Sequence, residues 1–174
     1  MANNSTGEMI GPTIIPKPLT ECRAGELVRL ESTGAWAIVA NDSENNAKVT
    51  RIFVITGKDA PNTFLLQDST EACLSYGTGF EVLPVHSSFA GMHVTGREGF
   101  APIGKLIFSR AFERDASTSR YFAASAGQAR FLNLETFQAV GEPTGYRALF
   151  QDWEVLINWP GQHEMVTLVR SADK

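Results

Sequence analysis

The feature that most constrains this chain is a series of short apolar runs, each about the length of a β-strand and separated by turn residues. The runs are rich in β-branched and aromatic residues, which favour strands. No stretch keeps apolar residues at helical spacing for three turns, so we expect only short helical pieces, at residues 69–74 and 109–115. The sequence therefore predicts an all-β protein with little helix. The clearest predicted strands are residues 26–31, 35–40, 49–56, 63–67 and 80–85.

Four sequence blocks in residues 25–86 recur in the same order in residues 104–159. The matched blocks are GELVRL with GKLIFS, RIFVIT with RYFAAS, FLLQDST with FLNLETF, and FEVLPVH with WEVLINW. The match pairs Arg51 with Arg120 and Phe80 with Trp153. A repeat of this kind indicates duplication, although strands also resemble one another because all of them use Val, Ile and Phe. We predict two pseudo-repeated, five-stranded, barrel-like (SH3-like) units that pack together, because one unit is too small to bury much core alone.

The predicted organisation has four parts. Residues 1–24 contain Pro12, Pro16 and Pro18 and are predicted to form an extended, proline-rich N-terminal arm. Residues 25–88 form the first unit, residues 89–103 a linker, and residues 104–174 the second unit. Residues 153–159 alternate apolar and polar side chains, which predicts a half-buried strand that pairs with residues 164–170 as a hairpin.

Composition limits the classes of partner. The chain has 174 residues and a net charge of −4, which argues against a general affinity for nucleic-acid phosphates. No apolar run is long enough to span a membrane, and the N-terminus lacks a secretory signal, so we expect a cytoplasmic protein that does not enter the membrane. Two cysteines, Cys22 and Cys73, allow at most one disulfide and are expected to be buried free thiols.

Signals for chemistry are weak. Residues 99–105 (GFAPIGK) satisfy part of a phosphate-binding loop, but Leu106 stands where the magnesium ligand belongs and Pro102 removes a backbone donor. Three histidines without nearby cysteine pairs do not predict zinc. We therefore expect no catalytic residues, no cofactor and no metal.

The leading functional prediction is a non-enzymatic interaction or assembly protein that binds a protein partner, or itself, through loops and edges of the duplicated barrel. One alternative is a small-molecule-binding protein or enzyme with a site between the two units. Another is nucleic-acid binding through the second unit, which combines arginines with aromatic side chains. The candidate partner- or ligand-binding residues are Arg51, Arg120, His86, His93, Arg97 and Glu98.

Overall fold

The computed structural model describes residues 14–42, 50–66, 70–95, 102–125, 129–159 and 162–171. These residues form an all-β protein, as predicted. The helical structure among them is limited to two 3₁₀ helices, Leu19–Glu21 and His86–Ser88. The five strands predicted most clearly are all present, and the predicted C-terminal hairpin is confirmed.

In the described part of the chain, fifteen strands form two sheets. The strands of the N-terminal half are β1 (Ile15–Pro18), β2 (Leu27–Leu30), β3 (Trp36–Asp42), β4 (Thr50–Val54), β5 (Asn62–Leu66), β6 (Ala72–Ser75) and β7 (Phe80–Pro84). The strands of the C-terminal half are β8 (Phe89–Val94), β9 (Leu106–Arg110), β10 (Thr118–Ser125), β11 (Ala129–Asn133), β12 (Gln138–Val140), β13 (Tyr146–Phe150), β14 (Trp153–Ile157) and β15 (Val166–Arg170).

The order of strand pairings in the N-terminal half recurs in the C-terminal half. In the first, antiparallel pairs run β1–β6–β2–β3–β4–β5; in the second they run β8–β13–β9–β10–β11–β12. Two short parallel pairings, β5 with β10 and β12 with β3, join the halves. Strand β7 pairs with β14 about Val82 and Val155, and β15 adds to the other edge of β14.

These pairings place both halves in one twelve-stranded sheet, and a separate three-stranded sheet contains β7, β14 and β15. Among the described strands, the main path of the large sheet ends at β1 on one side and at β8 on the other. The prediction of two SH3-like barrels is not confirmed.

The pairing order aligns the halves differently from the sequence blocks. Strand β4 takes the place that β11 takes in the second half, so the counterpart of Arg51 in the pairing order is Arg130 rather than Arg120. Arg120 corresponds instead to Trp36. The match of Phe80 with Trp153 agrees with the pairing order, because they are the first residues of β7 and β14.

Three apolar clusters among the described residues stabilise the fold. The largest lies between the two sheets and includes Phe53, Phe122 and Trp153. Each half also has its own smaller cluster on the opposite face of its strands, around Val28 in the N-terminal half and Ile107 in the C-terminal half. Trp153, Val155 and Ile157 are buried as the alternation predicts, whereas Trp159 lies beyond the end of β14 and is exposed.

Several predicted segments have a different local structure. The predicted arm contributes β1 to the large sheet, and the predicted linker contains β8. Residues 72–74 of the first predicted helical piece belong to β6, and residues 109–110 of the second belong to β9. In each case pairing with a distant strand outweighs the local preference.

Candidate interaction edge

The two ends of the large sheet present different backbone groups, and β1 is the end with fewer donors. The Leu19 N–H donates to the Glu71 carbonyl at 2.8 Å, which fixes which β1 residues bond to β6. Because antiparallel pairs alternate, Lys17 and Ile15 face β6, while Pro16 and Pro18 face the open side. Proline has no backbone N–H, so neither of these outward residues offers a donor to another strand.

Strand β8, at the other end of the sheet, does present outward backbone donors. The Thr95 N–H donates to the Gly145 carbonyl at 3.2 Å, so the same alternation directs His93 toward β13 and leaves Met92 and Val94 facing the open side. Both have backbone N–H and C=O groups. The pairing register makes Met92 the counterpart of Pro16, since each lies one strand outside the matching residue of β13 or β6. Strand β8 therefore presents a hydrogen-bonding edge where β1 has prolines.

A bulge limits the regular part of this edge. The register between β8 and β13 shifts between Leu149 and Phe150, and Gly91 has a φ of 124°, a conformation that favours glycine. Such bulges interrupt pairing on edge strands. The regular outward edge is consequently short and consists of Met92 and Val94.

Exposed apolar side chains lie beside this edge. Met92 is 68% exposed and Phe89 is 51% exposed. Tyr146 of β13, opposite Val94, is also exposed and makes an edge-on ring contact with exposed Phe112. We call Phe89, Met92, Phe112 and Tyr146 the β8 patch. Large apolar side chains grouped in this way are typical of protein interaction sites.

Two predicted site residues lie next to this edge. His93 is in β8 opposite Arg147, and His86 lies in the second 3₁₀ helix with its ring edge-on to Phe150. The other two candidates from the same segment, Arg97 and Glu98, lie outside the described residues.

The predicted arginine candidates are engaged inside the fold and do not form one surface. Arg51 is buried in β4 and donates to the Thr63 hydroxyl at 3.2 Å. Arg120 in β10 pairs with Glu135 at 2.9 Å and donates to the Val82 carbonyl at 3.3 Å. Arg120 thus connects β10 to the small sheet, which is a structural role.

A buried polar cluster lies under β1. Lys17 Nζ is 2.7 Å from a carboxylate oxygen of Glu26, and the Ser75 hydroxyl donates to the same oxygen at 2.7 Å. Burial alone would raise the pKa of Glu26, but the hydrogen bonds from Lys17, Ser75 and the Arg23 N–H outweigh it and lower the pKa. Burial alone would lower the pKa of Lys17, but its bond to Glu26 and nearby charges raise it.

The two cysteines lie in the same region. The sulfur atoms of Cys22 and Cys73 are 3.5 Å apart, and both residues are buried free thiols, as predicted. Burial raises the pKa of both thiols.

Two surface depressions could hold small molecules. A groove of about 420 Å³ runs beside β1, β6 and β2 and is lined in part by Pro16, Arg29, Cys73 and Leu74. A second depression, of about 590 Å³, opens on the C-terminal half. The polar side chains in its lining include those of Ser109, Ser119, Tyr121, Asn133, Glu142 and Thr144.

Sequence reasoning missed the β8 patch and the contact between the thiols. The runs FAGMHV in residues 89–94 and IPKP in residues 15–18 contain a usable signal, because one lacks proline and the other has it at alternate positions. That signal becomes informative only once both segments are known to be edge strands. The contact between thiols 51 positions apart has no local signal at all.

Within the described ranges, no group of three or more His, Cys, Asp or Glu side chains is arranged to hold a metal ion. Neither of the helices described is long and apolar enough to cross a membrane. No protein-family model, curated protein or solved structure matches this chain.

Proposed function

We propose that this chain is a non-enzymatic interaction or assembly protein made of two duplicated β-units, and that its binding surface is the open edge of β8 with the β8 patch. The recurring order of strand pairings supports the duplication. The observation that carries the function is the pair of outward backbone positions, Met92 and Val94, beside an exposed apolar patch. A strand from a partner would pair with this edge and cover the apolar side chains.

The partner that fits best is a second copy of this chain. Two β8 strands related by a twofold axis at His93 would place each Met92 opposite the Val94 of the other copy. Their outward groups would then form four backbone hydrogen bonds. No acidic or lysine side chain lies in FAGMHV, so identical strands would not place such charges opposite each other. The pairing of β7 with β14 about Val82 and Val155 is an arrangement of the same kind within the chain.

The test is sedimentation velocity of the full chain over a range of concentrations, with Met92→Pro as the edge variant. Met92 faces away from β13, so the substitution removes an N–H that forms no bond within the sheet. We expect the wild type to associate and Met92→Pro to remain monomeric with an unchanged circular-dichroism spectrum.

Met92→Ala is the matched control, because it removes the apolar side chain and keeps the N–H. If Met92→Ala and Met92→Pro lose association equally, the patch rather than the edge is responsible. A wild-type chain that is monomeric at every concentration would contradict self-association through β8.

Small-molecule binding is a second candidate, and the depression on the C-terminal half, with polar and apolar side chains in its lining, is the observation that favours it. A thermal-shift screen with Asn133→Ala as the comparison would test it; a compound that stabilises both proteins equally would not bind there. Nucleic-acid binding is less well supported, because Arg120 and Arg147 are paired with Glu135 and Glu142. A cytoplasmic location stays a prediction.

A further inference from the structure

The two thiols lie where the N-terminal strand is attached to the rest of the fold. Cys22 directly follows the first 3₁₀ helix, and Cys73 lies in β6, where it is paired with Lys17 of β1 and Leu30 of β2. The Leu19 N–H bond to Glu71 and the buried Leu19 side chain hold the same helix against β6. A bond between the two sulfurs would therefore fasten β1 and the 3₁₀ helix to β6.

We infer that Cys22 and Cys73 form an oxidisable dithiol, which a small-molecule disulfide such as oxidised glutathione converts into an intrachain disulfide that locks β1 in place. The sulfurs are in contact at 3.5 Å and must approach by only about 1.5 Å to reach bonding distance. Each also lies near a backbone carbonyl of β1: Cys73 near Lys17 and Cys22 near Pro18.

The reaction has two exchange steps. One protein thiolate attacks a sulfur of oxidised glutathione, which forms a mixed disulfide and releases one glutathione thiolate that takes up a proton. The second protein thiolate attacks the protein sulfur of that mixed disulfide, forms the Cys22–Cys73 bond and releases a second glutathione. Two protein thiols are oxidised, and one glutathione disulfide is reduced to two thiols.

Access and reactivity set the rate. Cys73 is 3% exposed but is part of the lining of the groove beside β1, which is the route by which a small oxidant would approach it. Burial raises the pKa of both thiols, so few thiolates are present at neutral pH and the exchange is slow. The rate should rise about tenfold per pH unit while the thiol form predominates.

The experiment treats the native full chain with oxidised glutathione and follows intact mass. We expect a loss of two hydrogens, no retained glutathione, and a single peptide that links Cys22 to Cys73 after digestion. Closing a loop of this length should raise the thermal midpoint by roughly 10 °C. Cys22→Ser is the matched control and should show neither the mass loss nor the shift.

Other results would overturn the inference. These are glutathione retained on each thiol, covalent dimers between chains, or no reaction of the native chain under conditions that oxidise the denatured chain. A disulfide that forms without raising the thermal midpoint would overturn the locking role while leaving the dithiol in place.

Discussion

The two halves of this protein share one order of strand pairings but have different kinds of side chain at matching positions. On the face of the N-terminal half that carries its own smaller cluster, Leu30, Val54 and Cys73 are buried together with Leu19 and Cys22. The pairing register gives the first three residues Ser109, Asn133 and Arg147 as counterparts. The apolar cluster of the N-terminal half therefore extends over these positions, whereas in the C-terminal half Ser109 and Asn133 line a depression beside the smaller cluster around Ile107.

The edge strands of the two halves, β1 and β8, also differ in the backbone groups that they present. Pro16 and Pro18 leave β1 without outward donors, and Lys17 between them is part of the buried cluster with Glu26. Their counterparts, Met92, Val94 and His93, leave β8 able to pair with another strand. Proline and lysine are common protections of edge strands. Under the proposed function, the N-terminal half contributes stability and the C-terminal half provides the binding edge.

The largest effect is expected where the C-terminal half buries a charge. Arg147 is 1% exposed and pairs with Glu142, while its counterpart Cys73 is uncharged. We expect Glu142→Gln to lower the free energy of unfolding by about 2 kcal/mol, because a buried guanidinium loses its counter-charge and Glu142 is itself partly exposed. Urea unfolding measures the change.

The control for this prediction is a double-mutant cycle with Arg147→Met. Once the guanidinium is removed, Glu142→Gln should have little further effect. Equal losses from Glu142→Gln in both backgrounds would mean that the pair is not coupled and that the charge in the C-terminal half is not a source of difference between the halves.

The strands with clear apolar alternation were predictable from sequence, because the signal that defines them is local. Residues 153–157 show it most clearly, with Trp153, Val155 and Ile157 on the buried face. Strand β6 was not predictable, because the sequence of residues 69–74 is as compatible with a short helix as with a strand. Only the pairing of β6 with β1 and β2 makes it a strand.

The candidate site was predictable only in part. His93 is one of the predicted candidates and lies in β8. The outward hydrogen-bonding groups, however, belong to the backbone of Met92 and Val94, and they face outward only because no described strand pairs with the other side of β8. Arg51 and Arg120 were selected from matched blocks, and the pairing order assigns them to different places. Non-local pairing decides both outcomes, and a single sequence contains no direct record of it.

A smaller effect is expected from the buried pair of the N-terminal half. We expect Glu26→Gln to lower the free energy of unfolding at neutral pH by about 1 kcal/mol, because Lys17 and Ser75 lose a charged acceptor. The folded pKa of Glu26 lies below its ordinary value of 4.5. Its contribution is therefore fully present above that value and is lost as the pH falls through the folded pKa. Urea unfolding at a series of pH values should show a weaker acid dependence in the variant.

Exposed Glu21 provides the control, since Glu21→Gln should leave the stability at neutral pH nearly unchanged. If Glu26→Gln keeps the full acid dependence of the wild type, the buried pair does not contribute to the stability of the N-terminal half. The raised pKa of Lys17 implies the opposite dependence on pH. The contribution of Lys17 to stability is present below its ordinary pKa of 10.5 and is lost as the pH rises through its folded pKa.

The smallest effect is expected at β1, and it tests whether outward backbone N–H groups alone explain why β8, and not β1, would associate with another strand. Pro16→Ala combined with Pro18→Ala restores two outward N–H groups to β1 and should cost about 1 kcal/mol or less in stability, through the entropy of the unfolded chain. In a Met92→Pro background, where β8 is blocked, we expect only weak association by sedimentation velocity. Two β1 strands paired about Lys17 would bring like charges together, which the His93 position of β8 avoids. Association as strong as that of the wild type would show that outward donors alone are sufficient and that the patch beside β8 adds little.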